Sequence, residues 1–168
     1  LSPEETIASL QYQVAALEGM AKNAGLELAY VNPQGALYND MMARQEVRLA
    51  IMQALAGYHR SLPLMLQATP DADSYRAEAA ELGLELLFEA FADRCYDDDG
   101  KLLSRSKPGA VHNREKMLAQ VKQLQQEGKL TTVSGNILPV AADTLCVHGD
   151  NLEGVQAIRE IRALVKGS

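Results

Sequence analysis

The sequence has no tryptophan, two phenylalanines, two cysteines and three histidines in 168 residues, and each shortage closes off a class of protein. Cys95 and Cys146 form no CxxC pair, which argues against a disulfide framework or a cysteine zinc site and leaves two reduced thiols as the expectation. His59, His112 and His148 show no HxH or HExxH spacing, so no metal site is expected. No apolar run approaches the ~20 residues of a bilayer span, and no signal peptide is visible. A cytoplasmic protein without a membrane partner is expected. Basic residues are scarce too: 16 Lys and Arg against 22 Asp and Glu, a net charge of −6. The chain therefore lacks the basic footprint of a nucleic-acid binder, although a local basic pocket for a nucleotide remains compatible with it. There is no GxSxG, GxGxxG or GxxxxGK[ST], so serine-hydrolase, dinucleotide and P-loop readings have no support.

What remains is an ordinary globular composition, 47% hydrophobic and 23% charged. The length suffices for one domain, residues 1–168, with a sizeable core. The chain opens on Leu1 and at once on a helix start, with Ser2 as N-cap, Pro3 at the first helical position and Glu5 completing a capping box. With no leading strand and no initiator Met, an α/β chain of this form is expected to be a fragment or a processed product.

Helical spacing of Ile7, Leu10, Val14, Leu17 and Ala21 predicts a helix over 3–23, stopped at Gly25. Strands are expected at 27–31, 63–67, 84–89, 129–133 and 144–147. Further helices are expected over about 40–56, through Leu82 after the turn at 69–73, from an Asn113 cap to Gln126, and over 151–165. In the last helix Leu152, Val155, Ile158, Ile161 and Val165 are expected inward. Asp97-Asp98-Asp99-Gly100 reads as a hairpin turn. Alternation of this kind means a parallel sheet with helices outside.

Three loops following strands collect the polar residues. In the first, Pro33 and Gly35 shape a turn that leads to Tyr38 and Asn39, and nothing in it titrates near neutrality. In the second, Glu89 at a strand end is followed by Asp93 and Arg94. Two carboxylates beside a guanidinium suit a metal-nucleotide, a positioned water or acid–base work; a structural ion pair is the bland alternative. In the third, His148-Gly149-Asp150 joins a group that titrates near neutral pH to an acid that reads equally as a helix N-cap. Arg105 and Lys107, before Pro108-Gly109, form a candidate anion site or a pair of solvated charges. His59 and His112 read as surface or capping residues.

Gly35-Ala36-Leu37-Tyr38-Asn39, Glu89-Ala90-Phe91-Ala92-Asp93-Arg94 and Cys146-Val147-His148-Gly149-Asp150 resemble, in order and spacing, the LamB/YcsF family of 5-oxoprolinase A subunits, or lactam-utilization proteins. Tyr96, Asp99-Gly100, Leu103, Ser104-Arg105-Ser106 and Gly109-Ala110 agree, as does the opening from Leu1 to Glu5 with Tyr12-Gln13. The resemblance implies a βα barrel of the glycoside hydrolase/deacetylase type, here present as its C-terminal βα units only. It implies ATP- and Mg²⁺-dependent opening of 5-oxoproline to glutamate with partner subunits B and C. Arg94 or Arg105 would bind phosphate or the substrate carboxylate. Glu89, Asp93 and Asp150 would position Mg²⁺ or water, and His148 would move a proton. Asn32, Gln34, Gly35, Tyr38 and Asn39 would contact substrate or ATP. The family pattern Lys-Pro-His-Gly is Asn32-Pro33-Gln34-Gly35 here, so two ionisable groups are replaced by amides that hydrogen-bond without carrying charge. Family members also begin with further βα units bearing an acidic motif and a Cys-Gly-x-His-type motif. The alternatives are a metal-dependent deacetylase-like hydrolase and a non-catalytic scaffold subunit; self-association is left open.

Overall fold

The computed structural model describes residues 2–166. The order is α1 (Pro3–Asn23), α2 (Ala36–Ala43), α3 (Gln45–Ala56), β1 (Leu64–Gln67), α4 (Ala72–Ala80), β2 (Leu86–Phe91), α5 (Arg114–Glu127), β3 (Lys129–Thr131), β4 (Ile137–Pro139), β5 (Thr144–Cys146) and α6 (Leu152–Lys166). Contacts gather into two compact units, residues 1–67 with 73–87 and residues 68–72 with 88–168. Leu1, the basis of the expectation about the chain's start, lies outside the described residues.

In the first unit α1 begins with the expected capping box. The Ser2 amide donates to Glu5 Oε2 at 2.8 Å, and the Glu5 amide donates to Ser2 Oγ at 3.2 Å. The helix buries Leu10, Val14 and Glu18. Leu17, expected inward, is exposed. Glu18 takes the inward place because Tyr58 donates to its carboxylate at 2.7 Å and Arg60 at 3.1 Å, which satisfies the charge. The strand expected at 27–31 contracts to one bridge, Val31 beside Leu64. Upstream, the Leu28 carbonyl is taken by the Arg60 guanidinium at 3.0 Å instead of a ladder partner.

The single helix expected over 40–56 is two helices. The first starts earlier because Gly35 adopts φ 63°, ψ −134°, a region open essentially to glycine alone, and so turns the chain into α2. Arg44, extended at φ −130°, then breaks it. The break is stabilised from below by buried Arg48. Its Nη1 donates to the Met41 carbonyl at 3.0 Å, its Nε and Nη2 hold Glu78 at 2.6 and 2.9 Å, and its guanidinium lies 4.5 Å from the Tyr75 ring centre.

The three-stranded sheet has the order β1-β2-β5. β1 is buried along its whole length, as an apolar run flanked by helices requires. In the second unit β2 runs parallel to β5, with Glu89 opposite Thr144, Ala90 opposite Leu145 and Phe91 opposite Cys146. Over its end pack Ala92, Met117 and Val121 with Ala157 and Ile161 of α6. The face of α6 therefore differs from expectation. Gly154, Ala157 and Ile161 point inward, while Leu152, Val155, Ile158 and Val165 are exposed. Gly154 explains the rotation, since a Cβ there would stand 2.8 Å from Val147 Cγ1; its first turn sits closer to β5 than any side chain permits. β4, not expected, pairs antiparallel with β3 around the Gly135-Asn136 turn. The Asp97–Gly100 hairpin turn is present, with Asp97 Oδ1 accepting from the Asp99 and Lys101 amides at 3.0 and 2.8 Å.

Candidate functional site

β2 continues two residues past the expected end, so Glu89 lies inside the strand rather than at its tip, and it is buried. Alternation puts it on the same face as Phe91. The tip is held by two side chains from elsewhere. Tyr96 accepts the Phe91 amide at 2.9 Å, and burial keeps its phenol well above the usual range. Gln120, on the inward face of α5, donates its amide to the carbonyls of Phe91 (2.8 Å), Arg94 (2.9 Å) and Ala92 (3.3 Å). The two N–H groups of one side chain are thus shared among three carbonyls at the end of the strand.

Asp93 follows, fully buried. Its Oδ2 accepts from the His148 amide at 3.1 Å and from Asn151 Nδ2 at 3.3 Å, and its Oδ1 stands 2.9 Å from His148 Nδ1. A carboxylate accepts, so Nδ1 carries a proton in this pair, and in the neutral ring Nε2 then offers a lone pair. The imidazole also stacks on Phe91, with ring centres 5.4 Å apart and planes 16° apart. Its side chain keeps 25% exposure. The ring is fixed at Nδ1 and on one face and stays partly exposed.

Asn151, not Asp150, caps α6: its Oδ1 accepts the Gly154 amide at 3.2 Å. The same amide group binds Asp93 and, at 3.4 Å, the His112 carbonyl. Asp150 instead pairs with Arg105 at 2.6 Å, and this hydrogen bond holds its carboxyl below the usual range. Arg94 is not a free anion receptor. Buried, it spends Nη2 on the Leu103 carbonyl at 2.7 Å and Nε on the Ala110 carbonyl at 3.3 Å; burial, then the neighbouring Arg105 charge, lowers its pKa. His112, expected as a surface or capping residue, is half-buried with its pKa lowered by burial. Gln120 has given its N–H groups to carbonyls, so its oxygen accepts from His112 Nε2 at 3.1 Å. Cys146, beside this cluster, is no thiolate nucleophile, because burial and then the Glu89 and Asp93 charges push its thiol up to about 11.

Asp93, Arg94, Arg105, His112, Asp150 and Asn151 line one cavity of about 510 Å³. The second and third loops of the sequence therefore meet here. Asn32, Gln34, Gly35, Tyr38 and Asn39 lie in the first unit. There Tyr38 and Asn39 belong to α2, Tyr38 is buried, and Gln34 and Asn39 are exposed. Asn32 Nδ2 approaches Met65 Sδ at 3.4 Å, and Gln34 Nε2 approaches the Asn32 carbonyl at 3.4 Å. Asn151, Gln120 and His112 escaped the sequence reading. Gln120 had left a signal, a polar residue at helical spacing between Met117 and Leu124 on an inward face.

Fold and cluster together define an α/β protein whose ionisable groups gather beyond the carboxyl ends of parallel strands, the usual place for a site in this class. The model of the LamB/YcsF family matches residues 1–168, and the chain belongs to that family. It is 48% identical over 167 residues to the 5-oxoprolinase A subunit of Chromohalobacter salexigens, covering 99% of this chain and 67% of that protein. It is 47% identical to the second 5-oxoprolinase A subunit of Pseudomonas putida, covering 99% and 65%. The crystal structure of a lactam utilization protein from Thermus thermophilus superposes with a TM-score of 0.83 at 36% identity, over 96% of this chain and 64% of that one. The chain spans about two thirds of the length of the relatives it matches.

Proposed function

We propose that this chain is part of a 5-oxoprolinase A subunit, acting with subunits B and C in the cytoplasm on a small lactam and opening 5-oxoproline to glutamate at the expense of ATP, with Mg²⁺ as cofactor. The same reading takes residues 1–168 as one domain, the C-terminal portion of a βα barrel of the glycoside hydrolase/deacetylase type. The observation that carries it is the Asp93–His148 pair, of which Asp93 lines the cavity, in a chain 48% identical to a protein of that name.

In this mechanism His148 is the proton carrier. Its Nε2 takes a proton from the water that attacks the ring carbonyl carbon and returns one to the departing ring nitrogen. Asp93 is a positioning residue that fixes the tautomer and steadies the imidazolium, and Phe91 holds the ring plane. Asn151 keeps Asp93 in place. Glu89 and Asp150 contribute the field around the water and substrate.

The donor set does not fit a resident Mg²⁺. Among the described residues no three His, Cys, Asp or Glu side chains stand together to hold a metal ion, and both Asp93 oxygens are occupied. Asp150 and Glu153 line the cavity and would repel a triphosphate, and the residues described around it form no glycine-rich cradle of amides. No step is therefore routed through nucleotide or metal at this cavity.

The test is turnover: the full-length protein with its partner subunits, 5-oxoproline and ATP should yield glutamate and ADP. Absence of both in a properly assembled complex would favour a scaffold subunit. Product without any ATP requirement would favour a deacetylase-like hydrolase.

A further inference from the structure

The segment 104–109 is an exposed loop with both ends anchored. Its two ends are pinned by one buried side chain, since Arg94 binds the Leu103 and Ala110 carbonyls together. The backbone adds to the anchoring: the Leu103 amide donates to the Cys95 carbonyl and the Cys95 amide to the Ala110 carbonyl, both at 2.9 Å. Between these anchors residues 104–109 are exposed. At the tip Arg105 reaches to Asp150, which stands in the loop that carries His148.

That ion pair is open to solvent on both sides, 47% for Arg105 and 64% for Asp150. A pair so exposed contributes little to stability, so giving it up costs little. Of the two arginines lining the cavity, Arg94 is committed to carbonyls. Arg105 alone is held by a partner that an incoming anion can replace, and its planar guanidinium matches a carboxylate in two parallel hydrogen bonds. A triphosphate is the poorer occupant here, because Asp150 and Glu153 line the same cavity.

We propose that Arg105 exchanges Asp150 for the carboxylate of the lactam substrate, so that residues 104–109 close over the cavity when substrate binds and Asp150 is released beside His148. This rests on the lactam reading above. Asp150 then acts as a competitor for Arg105 in the empty state.

The experiment measures the Kd of 5-oxoproline and of ATP for the assembled full-length complex and its variants, with turnover of the unaltered complex as the control. Arg105→Ala should weaken 5-oxoproline binding about tenfold or more while leaving ATP binding within twofold, and Arg105→Lys should restore part of the loss. Asp150→Asn should tighten 5-oxoproline binding, but only when Arg105 is present; the double variant should match Arg105→Ala. Substrate should also protect the Arg105–Ser106 bond from trypsin. Unchanged lactam binding in Arg105→Ala would overturn the exchange, as would weaker binding in Asp150→Asn or a loss confined to ATP. A control complex that fails to turn over 5-oxoproline would instead count against the lactam reading itself. Thermal melts of each variant separate these results from misfolding.

Discussion

Replacing Asp93 by asparagine changes almost nothing in shape and should change the chemistry profoundly. Two N–H donors, the His148 amide and Asn151 Nδ2, converge on Oδ2. An asparagine will keep its carbonyl oxygen there, because its NH₂ cannot accept. The NH₂ then falls where Oδ1 was, 2.9 Å from His148 Nδ1. A donor at that place obliges Nδ1 to accept, so the ring proton moves to Nε2 and the lone pair there is lost. Positioned acid–base catalysis contributes roughly 10²–10⁴ in rate, and an inverted tautomer removes most of it. We expect Asp93→Asn to lower kcat by about 10²–10⁴ with the KM for 5-oxoproline little changed. Stability should fall by only about 1–2 kcal/mol, as charge-assisted hydrogen bonds become neutral ones. The assay is glutamate release by the assembled complex, paired with ¹⁵N NMR of the His148 ring to read the tautomer directly. Wild-type turnover in Asp93→Asn would refute the reasoning, and so would an Nε2–H tautomer in the unaltered protein.

Other expectations concern the scaffold. Arg48 holds the Glu78 carboxyl below its ordinary pKa, so this group stabilises the fold above the unfolded carboxyl range and the gain is lost as pH falls through the lowered folded value. Glu78→Gln should cost about 3 kcal/mol at neutral pH, by leaving Arg48 buried without its counter-charge, and should flatten the acid limb of urea-denaturation stability against pH. His112 has the opposite charge and the same slope: its folded pKa is lowered from 6.5 by burial, so the unfolded chain binds the proton first and stability drops as pH falls below about 6.5. Titrating the denaturation midpoint of His112→Gln should show that drop removed. Gly154→Ala should destabilise by about 1–3 kcal/mol through overpacking on Val147, and Val147→Ala in the same chain should recover most of the loss in a thermal melt.

The scaffold was most legible where a local rule had no competitor. The capping box at Ser2, the glycine stop at Gly25 and the Asn113 cap all stand as the sequence implies. It was least legible where a distant side chain overrules the local pattern. Arg48 makes a broken helix tolerable, Glu18 displaces Leu17 from the inward face, and Gly154 rotates α6 away from its most apolar stripe. The second and third loops were visible as polar groups after strands, but not their pairing: no spacing in sequence says that Asp93 takes His148 and leaves Asp150 to Arg105. Asn151 was hidden behind Asp150, the more obvious cap. Arg94 looked like a ligand-binding cation because the carbonyls it serves, at Leu103 and Ala110, are an outcome of the fold.

The pinned neck at Leu103 and Ala110 also bears on how such a protein can vary. Because one guanidinium anchors both ends of residues 104–109, residues can be added to or removed from the tip without moving the end of β2 or the Asp93–His148 pair. Loop length and catalytic geometry are separate inheritances here. On the proposed reading, substrate preference can drift through the six residues of the tip, while Arg94 keeps the geometry beneath them where it was.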